Sequence, residues 1–355
     1  MNTNEKRLTL FGVIGVLSLI APWVLPTFQF QLALLWMMVI FALTWDIVGG
    51  QMGYNSFGNI VFFGIGMYAT AVVQRNLHFS VEEYVHVAGR VESLSATQYL
   101  EGLFLGMGVG VLLAVVIAAF LGACILAMGM RGQYFGICTL GLGVAAGELA
   151  SGWEYIGAGS GLVTPVFPDK LGERGLFFYY LFFVLALAAF IILRWIYSGR
   201  FGLAINAIRD DEDKAEAMGI HTTRYKITAW CISAFFLSLA GGAAGHMFGF
   251  IDPTDVAFAG PTFGVWMILM AILGGKGTLW GPVIGAMIFH ITQEFFWSSP
   301  WLFGWQRVAL GVIIVAIVVF FPMGLIGWMR ERWPERFGER VDQSRVAEVS
   351  EGSGT

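Results

Sequence analysis

The sequence predicts an all-α, polytopic integral membrane helix bundle of about 8–10 transmembrane helices, with both termini in the cytoplasm. Three observations predict it. Of the 355 residues, 57% are hydrophobic and 12% charged, where a soluble domain carries about 25% charged residues. Apolar runs long enough to cross about 30 Å of hydrocarbon recur from one end to the other. Lysine and arginine fall unevenly on alternate connections, as the positive-inside rule requires. The mean hydropathy of +0.73 and the 47 glycines fit helices that approach closely in lipid.

The apolar runs lie near 8–25, 30–48, 57–73, 101–128, 133–151, 176–197, 226–250, 262–274, 279–296 and 305–325. Lys6 and Arg7 precede the first run as in a signal peptide. Pro26 and a second apolar run follow it without a small-residue cleavage site, so it reads as a retained span. The run 57–73 is short and punctuated by glycine. The runs 262–274 and 279–296 flank Gly274-Gly275-Lys276-Gly277-Thr278 and read either as two tilted spans or as one re-entrant pair. Both readings return the C-terminus to the side of the N-terminus.

With the N-terminus inside, 15 of the 20 lysines and arginines face the cytoplasm, and Arg75, Arg90, Lys170, Arg174 and Arg307 face outward. The external loops are then 74–99, with Glu82, Glu83 and Glu92, then 153–175, then 251–261, with Asp252 and Asp255. Residues 1–330 form the transmembrane domain, and the polar tail 331–355 is expected to be disordered.

The ionisable residues offer no catalytic constellation. His78, His86, His221, His246 and His290 are scattered, and no metal site or cofactor is expected. Cys124, Cys138 and Cys231 lie in apolar runs and read as reduced packing residues. The Gly274–Thr278 turn lacks the first glycine of a phosphate loop, and Gly277 stands where Ser or Thr should follow the lysine. The chain is therefore expected to be no enzyme and to hydrolyse no nucleotide.

Asp46, Glu148 and Glu294 lie near the ends of apolar runs. Each reads as an interfacial carboxylate reaching water or, for Asp46 and Glu148 above all, as a group lining a solute path. The polar, Gly-rich stretch Gly49–Asn59 includes Gly53, Ser56 and Asn59. It reads as a cytoplasmic turn or as a broken helix whose backbone and hydroxyls meet a polar solute. Gly157-Ala158-Gly159-Ser160-Gly161 offers the same choice on the outside.

The connector 198–226 is the sharpest feature. Leu203, Ile205, Ala207, Ile208, Ala215 and Met218 recur at near-helical spacing around the charged stretch Arg209–Lys214. That pattern predicts two short helices or one kinked helix, lying at the membrane surface where a soluble partner can dock.

These residues, in their order, resemble a known family. Gly199-Arg200, Arg209-Asp210-Asp211, Ala215-Glu216-Ala217-Met218-Gly219-Ile220 and Arg224-Tyr225-Lys226 resemble the cytoplasmic loop of LivM-type permeases. Those are membrane subunits of bacterial branched-chain amino-acid ATP-binding cassette importers. Gly50, Gly53, Ser56 and Gly58, then Phe62-Phe63-Gly64-Ile65-Gly66-Met67-Tyr68, are similar to the family's early motifs. Arg131-Gly132 with Tyr134-Phe135 and Thr139-Leu140, Leu273 through Pro282, and Pro322 with Gly324-Leu325 are similar to later ones.

The resemblance implies a multi-pass bacterial inner-membrane permease in contact with lipid, paired with a second homologous permease. It also implies two cytoplasmic ATPase subunits, an extracytoplasmic solute-binding protein and no nucleic acid. It makes Arg209, Asp210, Asp211, Glu216, Ala217 and Gly219 the ATPase-coupling residues. The chain has Tyr54-Asn55-Ser56-Phe57-Gly58-Asn59 where the family commonly has Gln-Leu-Ser-Leu-Gly-His, and its loop 74–99 is long. Branched-chain amino acids are the implied solute, with urea or short amides as the alternative within the family. An ion-driven secondary carrier is the rival outside it.

Overall fold

The computed structural model describes residues 18–79, 94–298 and 324–332, together with Gly15, Tyr84, Trp305, Val308, Gly311, Val312 and Val315. Its helices are α1 (Gln29–Asp46), α2 (Ile60–His78), α3 (Ala96–Ala127), α4 (Gly132–Ser151), α5 (Arg174–Ser198) and α6 (Arg200–Asp210). They continue with α7 (Glu212–Ala217), α8 (Thr222–Phe248), α9 (Val265–Gly274), α10 (Trp280–Ser298) and α11 (Gly324–Arg332). Two-residue strands β1 (Leu162–Val163) and β2 (Phe250–Ile251) pair antiparallel. The fold is an all-α membrane bundle. Among the described residues seven stretches are long and apolar enough to cross a bilayer: Pro26–Gln51, Ile60–His78, Ala96–Leu126, Gly132–Ser151, Arg174–Ser198, Thr222–Phe248 and Pro253–Gly274.

Several boundaries differ from the sequence reading. The run 57–73 becomes a helix that continues to His78, so Gln74 and Arg75 are buried helix residues and not part of an external loop. The expected loop 251–261 is not a plain loop. It enters the bundle as wide turns over Pro253–Ala257 and Gly260–Gly264 and runs on into α9. α10 then packs against α9 and α1. α11 extends through Arg332 and so takes in the first two residues of the expected tail. The expected span 8–25, the middle of loop 74–99, the span 305–325 and the remainder of the tail fall largely or wholly outside the described residues.

The centre of the bundle is the trio α2, α3 and α8. Glycine makes their close crossing feasible. A Cβ at Gly241 would collide with the Phe63 carbonyl, and one at Gly66 with the Ser238 carbonyl. The α2 and α8 backbones therefore touch directly, and van der Waals packing replaces the hydrophobic drive that lipid does not supply. Asn59 fastens the same pair: its Oδ1 accepts from Trp230 Nε1 at 3.0 Å and its Nδ2 donates to Ser233 Oγ at 3.1 Å.

α1 and α5 pack side by side as a second layer. At one end of the bundle, which carries β1 and β2, Gln29 Nε2 donates to Glu173 Oε2 at 2.7 Å. Arg174 Nη2 there donates to the carbonyls of His246 and Met247. Asp252 caps the first wide turn by accepting from Thr254 N and Asp255 N. Gly157, Ala158 and Gly161 all have positive φ in the tight turns leading to β1. The opposite end carries α6, α7 and the 274–278 turn.

Candidate functional site

The connector folds as two short helices, α6 and α7, meeting at Asp211. That residue leaves helical geometry (φ −163°, ψ 103°) and accepts from Lys214 N at 3.1 Å, so it is the N-cap of α7. A cap of this kind satisfies an amide that the helix start would otherwise leave unpaired. Lys214 Nζ returns to Asp211 Oδ2 at 2.8 Å. Gly219 (φ +87°) ends α7 in the left-handed conformation, donating to Glu216 O at 2.9 Å, and Ile220 N reaches Ala215 O at 3.1 Å. α7 is thus a small unit, hinged at an extended residue on one side and at a glycine on the other.

Two faces follow from this geometry. Ile205, Ile208 and Ala215 are buried against the bundle. Leu203 (71% exposed) and Met218 (84% exposed) project away from it, beside the exposed Glu216, Ala217 and Gly219. Arg209 and Asp210 are exposed and paired with each other at 3.0 Å.

The inward face holds a charge cluster that the sequence pattern did not single out. Glu212 Oε1 accepts from Lys226 Nζ at 2.7 Å. Its Oε2 accepts from the Tyr54 hydroxyl and lies 3.3 Å from Arg131 Nε. Arg131 Nη1 also pairs with Asp213 Oδ1 at 2.8 Å. Lys226 is 1% exposed, and its ammonium lies over the Tyr54 ring, 5.0 Å from the centroid.

Burial alone pushes the Glu212 carboxyl up, but the bonds from Lys226 and Tyr54 and the charges of Lys226 and Arg131 outweigh it and hold it below the ordinary value of 4.5. A carboxyl depressed on folding contributes stability that is complete above its unfolded value and is lost as pH falls through the folded one. Hydrogen-exchange protection of α7 is therefore expected to be intact above the ordinary carboxyl value of 4.5 and to drop selectively, relative to α8, as acidification proceeds below it. Equal protection of α7 above and below that value would contradict this.

Of the expected path residues, the structure brings Asp46, Gly53, Ser56 and Asn59 to one half of the bundle. Asp46 (1% exposed) accepts from Gly277 N at 2.7 Å, with Gln51, Arg209 and Lys276 around it. Gly53 lies under Arg209. Asn59 is a bracket between helices, as above. Ser56 is fully buried: its carbonyl accepts from Trp45 Nε1 at 2.7 Å, and its Oγ has no hydrogen-bond partner among the described residues. Glu148 stands apart from these four, exposed near the other end of α4.

The residues 52–59 form a non-helical passage from the α6–α7 end into the bundle. Phe57 N donates to Thr139 Oγ1 at 3.1 Å, and Gly58 lies against the Thr139 carbonyl. From the opposite end, residues 253–264 enter as wide turns. Phe258 stacks on Tyr68 at 6.0 Å and reaches Gly64 and Gly147. The two interrupted segments meet where Gly264 faces the Phe57 carbonyl and Ile60. α4 covers both through Gly136, Thr139, Gly143 and Gly147. Irregular backbone at membrane depth is tolerated where protein surrounds it or water lines it. The second segment did carry a signal, since Pro253, Gly260, Pro261 and Gly264 interrupt an apolar run.

A profile described as "branched-chain amino acid transport system / permease component" matches residues 29–321. The chain is 22% identical to the high-affinity branched-chain amino acid transport system permease protein LivM of Salmonella typhimurium, over 95% of this chain and 79% of that protein. It is 23% identical to LivM of Escherichia coli, over 93% of this chain and 77% of that protein. LivH of Escherichia coli is 29% identical over 41% of this chain and 44% of its own length. No solved structure matches the chain.

Proposed function

The chain belongs to the branched-chain amino acid transport permease family, and from that premise we propose that it forms half of the translocation path of an ATP-binding cassette importer. It sits as a multi-pass protein in the bacterial inner membrane. A homologous permease of the LivH kind supplies the other half. Two cytoplasmic ATPase subunits hydrolyse the nucleotide, and an extracytoplasmic binding protein delivers branched-chain amino acids to the end that carries β1 and β2. Similarity to both LivM and LivH proteins supports the paired arrangement.

One observation carries the coupling role: α6 and α7 are braced from beneath yet hold Leu203 and Met218 outward. Exposed apolar side chains flanked by charges fit a groove on a soluble partner. The hinges at Asp211 and Gly219 let closure of the ATPase pair shift α7 as a unit. The solute path is proposed to run beside 52–59 and 253–264, where the hydroxyls of Ser56 and Tyr68 are buried without a hydrogen-bond partner among the described residues and can meet a polar solute.

Leu203→Glu with Met218→Glu tests the docking surface. Both positions are exposed, so membrane insertion and thermal stability are expected to stay unchanged. Loss of such anchors weakens binding by about tenfold or more, so co-purification of the ATPase subunits and ATP-dependent uptake should fail together. Unimpaired co-purification would remove the coupling assignment.

A further inference from the structure

We propose that Glu212 is the positioning residue that transmits movement of α7 to the interrupted segment 52–59, acting through Tyr54 and Lys226. The proposal rests on the coupling reading above and adds the atoms that carry the motion inward.

Glu212 is placed unlike its neighbours. Asp213, Lys214 and Glu216 of the same six-residue helix are exposed, whereas the Glu212 side chain is 10% exposed. Its two oxygens take donors from three separate elements: Lys226 of α8, Tyr54 of the segment 52–59, and Arg131 of the turn before α4. No oxygen of the carboxylate and no charge of the buried ammonium is left uncompensated. Packing alone does not call for this arrangement, because well-fitted apolar side chains commonly stabilise as well as a buried ion pair. What the ion cluster adds is a directional grip: strong, charge-assisted bonds that hold only at one relative position of their partners.

The mechanical setting fits a transmitting role. α7 is hinged at both ends. The segment 52–59 has no helical ladder to stiffen it, and its inner end is pinned by Phe57 to Thr139 and by Asn59 to Trp230 and Ser233. Tyr54 stands between the hinged helix and the pinned end. A shift of α7 that carries the Glu212 carboxylate displaces the Tyr54 hydroxyl and bends the chain just before Ser56. A second contact between connector and segment, Arg209 over Gly53, is van der Waals and gives no grip of this kind.

The test uses the assembled importer in vesicles, with Cys124, Cys138 and Cys231 replaced by serine and Ser56→Cys as the reporter. Labelling of that thiol by a maleimide is measured with and without ATP. In the parent, ATP is expected to change the labelling rate. Glu212→Gln and the milder Tyr54→Phe should each reduce that change at least about fivefold, the lower range of coupling between linked sites. The ATPase subunits should still co-purify, and uptake of radiolabelled leucine per ATP hydrolysed should fall.

An unchanged ATP response in both single variants overturns the proposal. Loss of ATPase co-purification in Tyr54→Phe also overturns it, because the cluster would then serve only to hold the docking surface. Absence of any ATP response in the parent removes the coupling reading itself, an outcome distinct from failure of the variants.

Discussion

Gly241→Val is expected to cost the protein about 3 kcal/mol, the upper part of the range for overpacked interiors, and to prevent its accumulation as a monodisperse species. The obstacle is backbone, not a side chain that can swing aside. The new Cβ would strike the Phe63 carbonyl, with Met67 N close behind it. Relief requires α2 and α8 to separate, and that opens the Gly66–Ser238 contact and strains the Asn59 bracket in the same movement. In lipid the loss is not offset by apolar burial, because the tails are as apolar as the residues they would replace. Gly141→Ala provides the contrast, since nothing lies within 4 Å of a Cβ there. Thermal unfolding followed by size-exclusion chromatography in detergent should separate the two. A Gly241→Val protein as stable as Gly141→Ala would show that the helices do not cross as described.

Asp46→Ala is the second large effect. Asp46 is the acceptor for Gly277 N and the nearby negative charge for Arg209 and Lys276. Its removal leaves a half-buried amide without its acceptor, a cost of about 1–3 kcal/mol. Arg209 and Lys276 are exposed, and Arg209 keeps its pair with Asp210, so loss of the nearby charge adds little to that cost. Asp46→Asn keeps an oxygen for Gly277 and should lose much less. The local signature is release of the 274–278 turn: trypsin should cut at Lys276 in Asp46→Ala well before it does in Asp46→Asn. Equal cleavage and equal melting of the two variants would mean that the carboxylate does not hold this turn.

The layout of the chain was legible because lipid imposes long apolar helices. α1, α3, α4, α5 and α8 fall within a few residues of their apolar runs, and the pairing of α6 with α7 follows from hydrophobic spacing broken at Arg209–Lys214. Periodicity reports which face of an element is apolar and is silent on which polar group on another element awaits it. Glu212 therefore read as one charge among six, although its partners Tyr54 and Arg131 stand at remote positions of the chain. Lys226 counted toward the cytoplasmic positive charge, yet it is buried in the first turn and a half of α8. Asp46 was legible as a costly intramembrane acid, but one of its hydrogen-bond partners is the backbone amide of Gly277, and no residue type betrays that. The stretch 251–261 reads as a loop in the sequence because its prolines and glycines are the same signals that end helices at the surface. Only tertiary burial separates a turn in water from one inside a bundle.

The short β1–β2 ladder has a bearing on how the far end answers to load. Leu162 and Val163 are zipped to Ile251 and Phe250, immediately ahead of the turns that lead to Gly264. A body pressing on the 153–173 excursion therefore tugs at the root of one interrupted segment, while the opposite surface holds the root of the other through Tyr54. The plug where these two pieces of backbone abut is tethered to both faces of the molecule by short leashes, like a valve seat with a stem on either side.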